Sequence, residues 1–181
     1  GFADVEGTRI IVFYPKNGVS KVQELQMVTQ KGENTSVVAI HGNFDAAQSG
    51  VKSIFEDKEF AKELEAQGYQ FSSANSINIG RLVPQIIYYF AGYLEMVKSK
   101  LIEFGEEINV CVPTGNFGNI LASYYAKEIG LPIKEFICAS NENNVLTDFF
   151  NTGTYNSNRR FYKTNSPSMD ILVSSNLERL I

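Results

Sequence analysis

Histidine and cysteine are scarce in this chain: His41 is the single histidine, and Cys111 and Cys138 are the two cysteines. A zinc site needs three or four such donors at short spacing, so no metal centre is expected. The serines likewise have no histidine in a placeable triad. Each cysteine sits inside an apolar, strand-like run, which leads us to expect buried, reduced thiols in a cytoplasmic protein. Long apolar runs are missing as well, and none approaches the roughly 18 residues that a membrane-crossing helix requires. The opening residues, Gly1-Phe2-Ala3-Asp4-Val5-Glu6, lack the basic head and apolar stretch of a signal peptide. There is no basic block either, and the net charge is −4. Binding a phosphate backbone needs a positive field, so a nucleic-acid partner is not expected.

What remains is an ordinary globular composition, 44% apolar and 20% charged, over 181 residues. Short apolar runs alternate with helical patterns. Strands are predicted at 10–14, 36–40, 69–71, 108–112, 133–138 and 168–173. Helices are predicted from Ser20, over 45–55, after Asp57, along 78–104 with a break or bend at Pro84, over 120–129, and over 145–150. Leu177 onward reads as a first helical turn. Strands joined through helices need crossover connections, so the expected class is α/β, with mostly parallel open sheets and helices on both faces. Two lobes are expected, 1–92 and 93–181, divided within the long helix.

Ligands of open parallel sheets sit beyond the carboxyl ends of the strands. The strongest candidate lies at such a place. The strand at 108–112 runs into Pro113-Thr114-Gly115-Asn116-Phe117-Gly118-Asn119 and then directly into a helix. Gly115 and Gly118 permit positive φ and close approach of a ligand to the backbone. Amides at the helix start then converge where the macrodipole favours negative charge. This is a phosphate cradle built from backbone. It is neither a Walker loop, since no Gly-Lys-Ser/Thr follows, nor the three-glycine dinucleotide loop. A second candidate, Ser72-Ser73-Ala74-Asn75-Ser76-Ile77-Asn78-Ile79-Gly80-Arg81, leads into the long helix. Ser76 or Asn78 serves as a cap, and Arg81 places a cation in a first turn that normally prefers acids. An external anion gripped by the guanidinium would account for it. Two neighbouring anion sites in an acidic protein suggest a phosphorylated cofactor meeting a phosphorylated substrate.

Several stretches, in order along the whole chain, resemble the threonine synthases. They are Phe13-Tyr14-Pro15, His41-Gly42-Asn43-Phe44-Asp45, Asn75 to Leu82, Pro113 to Ile120, Ser140-Asn141-Glu142-Asn143-Asn144-Val145-Leu146, and Ser166-Pro167-Ser168-Met169-Asp170-Ile171. The resemblance implies the fold of the tryptophan-synthase β subunit, fold type II of the pyridoxal-phosphate enzymes. It also implies conversion of O-phosphohomoserine and water to L-threonine and phosphate. Gly115, Asn116, Phe117, Gly118 and Asn119 would hold the cofactor phosphate. Asn75, Ser76 and Arg81 would hold the substrate phosphate, with Asn116 close to both. The catalytic lysine of the family stands in a Phe-Lys-Asp context followed by a Ser-Gly-Asp-Thr-Gly loop, and this chain contains neither. The chain is therefore expected to be an internal fragment whose partners are the remaining segments of the same enzyme, inactive alone and prone to self-association through apolar faces.

Two other readings differ in class. A threonine dehydratase-like lyase of the same fold has substrates without phosphate, which leaves the Arg81 segment unexplained. A Rossmann-like nucleotide module would need an acid at the end of a second strand, facing a ribose. Of the remaining residues, His41 reads as a loop residue ahead of a cap, and Lys16 and Lys21 as solvated. Tyr88, Tyr89, Phe90 and Tyr93 read as packing against the sheet, and Arg159 and Arg160 as surface residues.

Overall fold

The computed structural model describes residues 2–76 and 78–181, apart from the side chain of Pro167; Ile77, inside the second candidate segment, lies outside them. The chain divides into two compact units, Gly1–Phe71 and Ser72–Ile181. The division falls before the long helix, whereas the expected boundary at 92/93 fell inside it. That helix belongs to the second unit through its packing on the next helix.

In the first unit, β1 (Ile10–Pro15) and β2 (Thr35–Ile40) pair in parallel, with Val12 opposite Val37. Helix α1 (Lys21–Val28) forms the crossover, and α2 (Phe44–Glu56) and α3 (Lys58–Ala66) follow. Each helix starts where a short polar side chain satisfies the leading amides. Ser20 and Gln23 form a reciprocal capping box, Asn43 Oδ1 accepts from Ala46 N, and Asp57 Oδ1 accepts from both Glu59 N and Phe60 N. None of the three helices contains a buried residue.

The second unit begins with α4 (Ile79–Lys98), which runs through Pro84 without interruption. Proline there removes the bond to the Gly80 carbonyl, close to the end where amides lack partners in any case. The helix stops at Ser99, short of the expected Phe104, and Lys100 takes a positive φ of 57°. Next come β3 (Ile108–Pro113), α5 (Gly118–Glu128), β4 (Ile133–Ala139) and α6 (Val145–Thr152), which ends at Gly153 with φ 72°. Strands β3 and β4 pair in parallel across α5. The core joins Leu82 and Tyr93 of α4 to Ile120, Leu121, Ala122 and Ala126 of α5. The alanines let the two helices approach closely, and truncating fully buried Leu82 or Leu121 would cost about 2–5 kcal/mol.

The α/β class with parallel strand pairs is as read from sequence, but two strands are not formed. Residues 69–71 are irregular, and 168–173 include a 3-10 turn, Pro167–Met169. In that second run Met169 N and Ile171 N donate to nearby carbonyls, and Leu172 O accepts from Tyr155 Oη, which itself accepts from Ser174 N just beyond. Cys111 is exposed rather than buried, because β3 alternates Val110 and Val112 inward with Asn109 and Cys111 outward. Cys138 is half-buried, and desolvation pushes its thiol up to about 11. Tyr93 packs in the core as expected, whereas Tyr88 is 66% exposed. Arg159 is more than a surface residue: it pairs with Asp148 at 2.6 Å and donates to Asn144 Oδ1 at 3.2 Å. Among the described residues no helix is long and apolar enough to cross a membrane.

Candidate functional site

Strand β3 delivers the chain to a loop of unusual backbone. Thr114 N still donates to Ala139 O, 2.7 Å, extending the ladder by one bond. Gly115 then takes φ 135°, and a Cβ there would lie 3.4 Å from Ser168 O. Phe117 takes the left-handed conformation, φ 63° and ψ 1°, as the residue preceding α5. For a residue with a side chain this costs on the order of 1–3 kcal/mol, offset by burial of the ring to 3% exposure. No side chain caps α5. Its first intrahelical bond runs from Leu121 N to Phe117 O, so the amides of Gly118, Asn119 and Ile120 precede the ladder.

The loop carbonyls are held from behind. Ser174 Oγ donates to Gly115 O at 2.7 Å, and Asn176 donates to Asn116 O from both Nδ2, 2.8 Å, and the backbone, 3.1 Å. In a trans peptide the C=O and the following N–H point in opposite directions. Pinning these two oxygens therefore aims the amides of Asn116 and Phe117 away from the pins. These amides and the uncapped ones at the start of α5 are donors of partial positive charge with no side-chain cap. Asn116 Oδ1 is buried without a hydrogen-bond partner, an arrangement that costs about 1–3 kcal/mol unless a ligand supplies a donor.

The second segment meets this loop. A Cβ on Gly118 would lie 2.5 Å from Ser76 Oγ and 2.6 Å from Ser76 Cβ, so the absence of a side chain at 118 is what lets the two pieces touch. Asn176 Nδ2 also donates to Ser76 Oγ, 2.9 Å, and Arg179 donates to Ser76 O, 3.0 Å. Asn75 Oδ1 accepts from Ser76 Oγ over a long 3.5 Å. Asn78, rather than Ser76, caps α4 by accepting from Gly80 N at 2.9 Å. Arg81 is exposed in the first turn of α4. Asn119 turns its side chain to α4, where Tyr89 Oη donates to its Oδ1 and Gln85 Oε1 accepts from its Nδ2 at 3.5 Å. Burial raises the Tyr89 phenol, opposed by a hydrogen bond with Ser123.

Gly118 and Ser76 thus come together directly; Asn75 adjoins Ser76 in the segment before α4, Arg81 lies in the first turn of α4 and Asn119 in the first turn of α5. Neither segment contains a residue able to act as a base near neutral pH, so what the two can offer chemically is hydrogen-bond donors and, at Arg81, positive charge. His41 and Lys16 are exposed in the first unit, and Lys21 pairs with Glu24 at 3.0 Å. Sequence reasoning missed the struts Ser174, Asn176 and Arg179. It also missed a buried network in which Asp170, 4% exposed, accepts from Asn141, Asn143 and Thr164. That network holds the 3-10 turn whose Ser168 carbonyl faces Gly115. Buried polar residues of this kind announce themselves only by asking which carbonyls they can reach.

No protein-family model matches the chain. The chain is 49% identical over 178 residues to threonine synthase-like 1 of Mus musculus, covering 97% of this chain and 24% of that protein. A crystal structure of threonine synthase from Escherichia coli superimposes with a TM-score of 0.83 at 37% identity, over 99% of this chain and 39% of that one. A structure of PLP-bound threonine synthase from Brucella melitensis gives 0.76 at 40% identity, over 99% and 36%. Each of these relatives is more than twice as long as the stretch matched. Over nearly its whole length, in sequence and in fold, the chain is similar to one stretch of these threonine synthases.

Proposed function

We propose that this chain supplies the two phosphate-binding segments of a pyridoxal-phosphate-dependent threonine synthase, which converts O-phosphohomoserine and water to L-threonine and phosphate. The observation that carries the reading is the uncapped start of α5, with the carbonyls of Gly115 and Asn116 pinned behind it and Ser76 against Gly118. The residues fit a phosphorylated cofactor: positive φ at Gly115 and Phe117 leads into a helix start with uncapped amides for the phosphate, and the buried, unpartnered Asn116 Oδ1 can accept from a donor group elsewhere on the cofactor. When bound, pyridoxal phosphate supplies the electron sink for loss of phosphate and addition of water. Gly115 to Asn119 hold its phosphate through backbone amides. Asn75, Ser76 and Arg81 hold the substrate phosphate, Arg81 through its planar fork of donors. A leaving group gripped by fixed donors departs along a set direction, and that orientation is this chain's part in the reaction. The remaining segments of the enzyme bring the lysine, and a cytoplasmic location suits its soluble, small-molecule substrate.

Amide NMR of the chain tests the proposal. Pyridoxal phosphate and inorganic phosphate should both shift the amides of Gly118, Asn119 and Ile120 saturably, while AMP should bind no better than phosphate. Unmoved amides, or tighter binding of AMP, would exclude the reading.

A further inference from the structure

We infer that Asn176 is the positioning residue that makes the Ser76 hydroxyl a donor toward the bound anion and joins the two phosphate-binding segments into one site. This rests on the two-phosphate reading above. Asn176 is fully buried and uses every polar atom of its side chain. Its Oδ1 accepts from Arg179 Nη1 at 2.7 Å, and its Nδ2 donates to Asn116 O at 2.8 Å and to Ser76 Oγ at 2.9 Å. The orientation of the amide follows from chemistry. A guanidinium only donates and a carbonyl only accepts, so the oxygen must face Arg179 and the nitrogen must face Asn116. Both neighbours demand the same orientation.

The consequence falls on Ser76. Its oxygen already accepts from Asn176, so its own proton must point elsewhere. Within reach lies Asn75 Oδ1 at 3.5 Å, a weak acceptor at that distance. A phosphate oxygen is a far stronger one, so the hydroxyl is poised to donate to an anion. The same carboxamide holds Asn116 O away from the site, which keeps a repelling dipole off the anion. Arg179 braces both ends, through Asn176 Oδ1 and Ser76 O. One side chain thus sets hydrogen-bond polarity on the 72–81 segment and on the 113–119 loop together.

The isosteric substitution Asn176→Asp inverts that polarity. A carboxylate has no hydrogen to offer; it would draw in the Ser76 proton and repel Asn116 O. Sulfate, whose charge stays constant through the useful pH range, is the probe, titrated into the 181-residue chain and followed at the Gly118 and Asn119 amides. Asn176→Asp should bind sulfate about tenfold more weakly or worse near neutral pH. Its affinity should recover on acidification, as the carboxyl regains a proton to donate, while the parent chain shows no such recovery. Asn176→Asp binding like the parent at neutral pH, or weakened equally at every pH, overturns the inference and leaves the reading of function standing. A parent chain that does not shift at these amides removes both. Ser76→Ala keeps the test sharp should Asn176→Asp fail to fold. It should lose affinity to a similar degree, and unchanged binding by Ser76→Ala rejects the donor role outright.

Discussion

Helices α4 and α5 begin beside one another, and their first turns are finished in opposite ways. The α4 start is closed by its own residue, Asn78, whose carboxamide accepts from Gly80 N. The α5 start is left open, entered through a left-handed Phe117 with no side-chain cap. Helices α1, α2 and α3 follow the α4 pattern, with Ser20, Asn43 and Asp57. Helix α6 also lacks a capping bond, but its Asn144 carboxamide accepts from Arg159 and an acid, Asp148, sits in its first turn. A cap contributes about 1 kcal/mol for one polar residue. Burial of the Phe117 ring offsets the strain there, but nothing in the chain caps the leading amides of α5.

The sharpest way to break the contrast is to fill the space between the two starts. Gly118→Ala places a methyl 2.5 Å from Ser76 Oγ and 3.3 Å from Asn176 Nδ2. The segments must then part, with about tenfold to hundredfold loss of phosphate affinity by NMR titration and about 1–3 kcal/mol of stability by urea unfolding. Arg81→Ala tests the exposed cation: the second anion should bind about tenfold more weakly, with an unchanged urea midpoint, and Arg81→Lys should recover part of the loss. Asn78→Ala opens the closed start and should cost about 1 kcal/mol in the same urea assay, more than its effect on phosphate binding at the α5 amides. Ser20→Ala, in the first unit, should cost about 0.5–1 kcal/mol and leave phosphate binding untouched. If Ser20→Ala weakened phosphate binding as much as Gly118→Ala, the division between structural and binding helix starts would not hold.

Much of this was legible in the chain. Caps at Ser20 and Asp57 are local events, decided by one side chain reaching amides two or three residues on, and they appear where read. The loop after β3 was legible in part: Gly115 takes the positive φ that glycine permits, but Gly118 is already helical and the second positive φ falls on Phe117, which carries no such mark in sequence. Less legible were elements decided by distant partners. The run 168–173 has the residues of a strand, yet its start lies in a 3-10 turn, its Asp170 accepts from Thr164 N and its Leu172 O accepts from Tyr155, so the rest stays irregular. Cys111 looks buried inside an apolar run, but period-two alternation turns it outward on an uncovered face. The division into units fell at 71/72 instead of within α4, because packing on α5 draws the whole helix into the second unit.

By itself the sequence determined the alternation of strands and helices, the caps, and the two segments proposed to meet anions. Each depends on backbone geometry and side-chain reach over a few residues. Tertiary structure alone decided that Ser76 would rest on Gly118, and that Ser174, Asn176 and Arg179 would brace both segments from behind. Those bonds span about 60 to 100 positions of chain. A buried amide's orientation depends on which acceptors and donors the fold brings to it, and no local pattern encodes that.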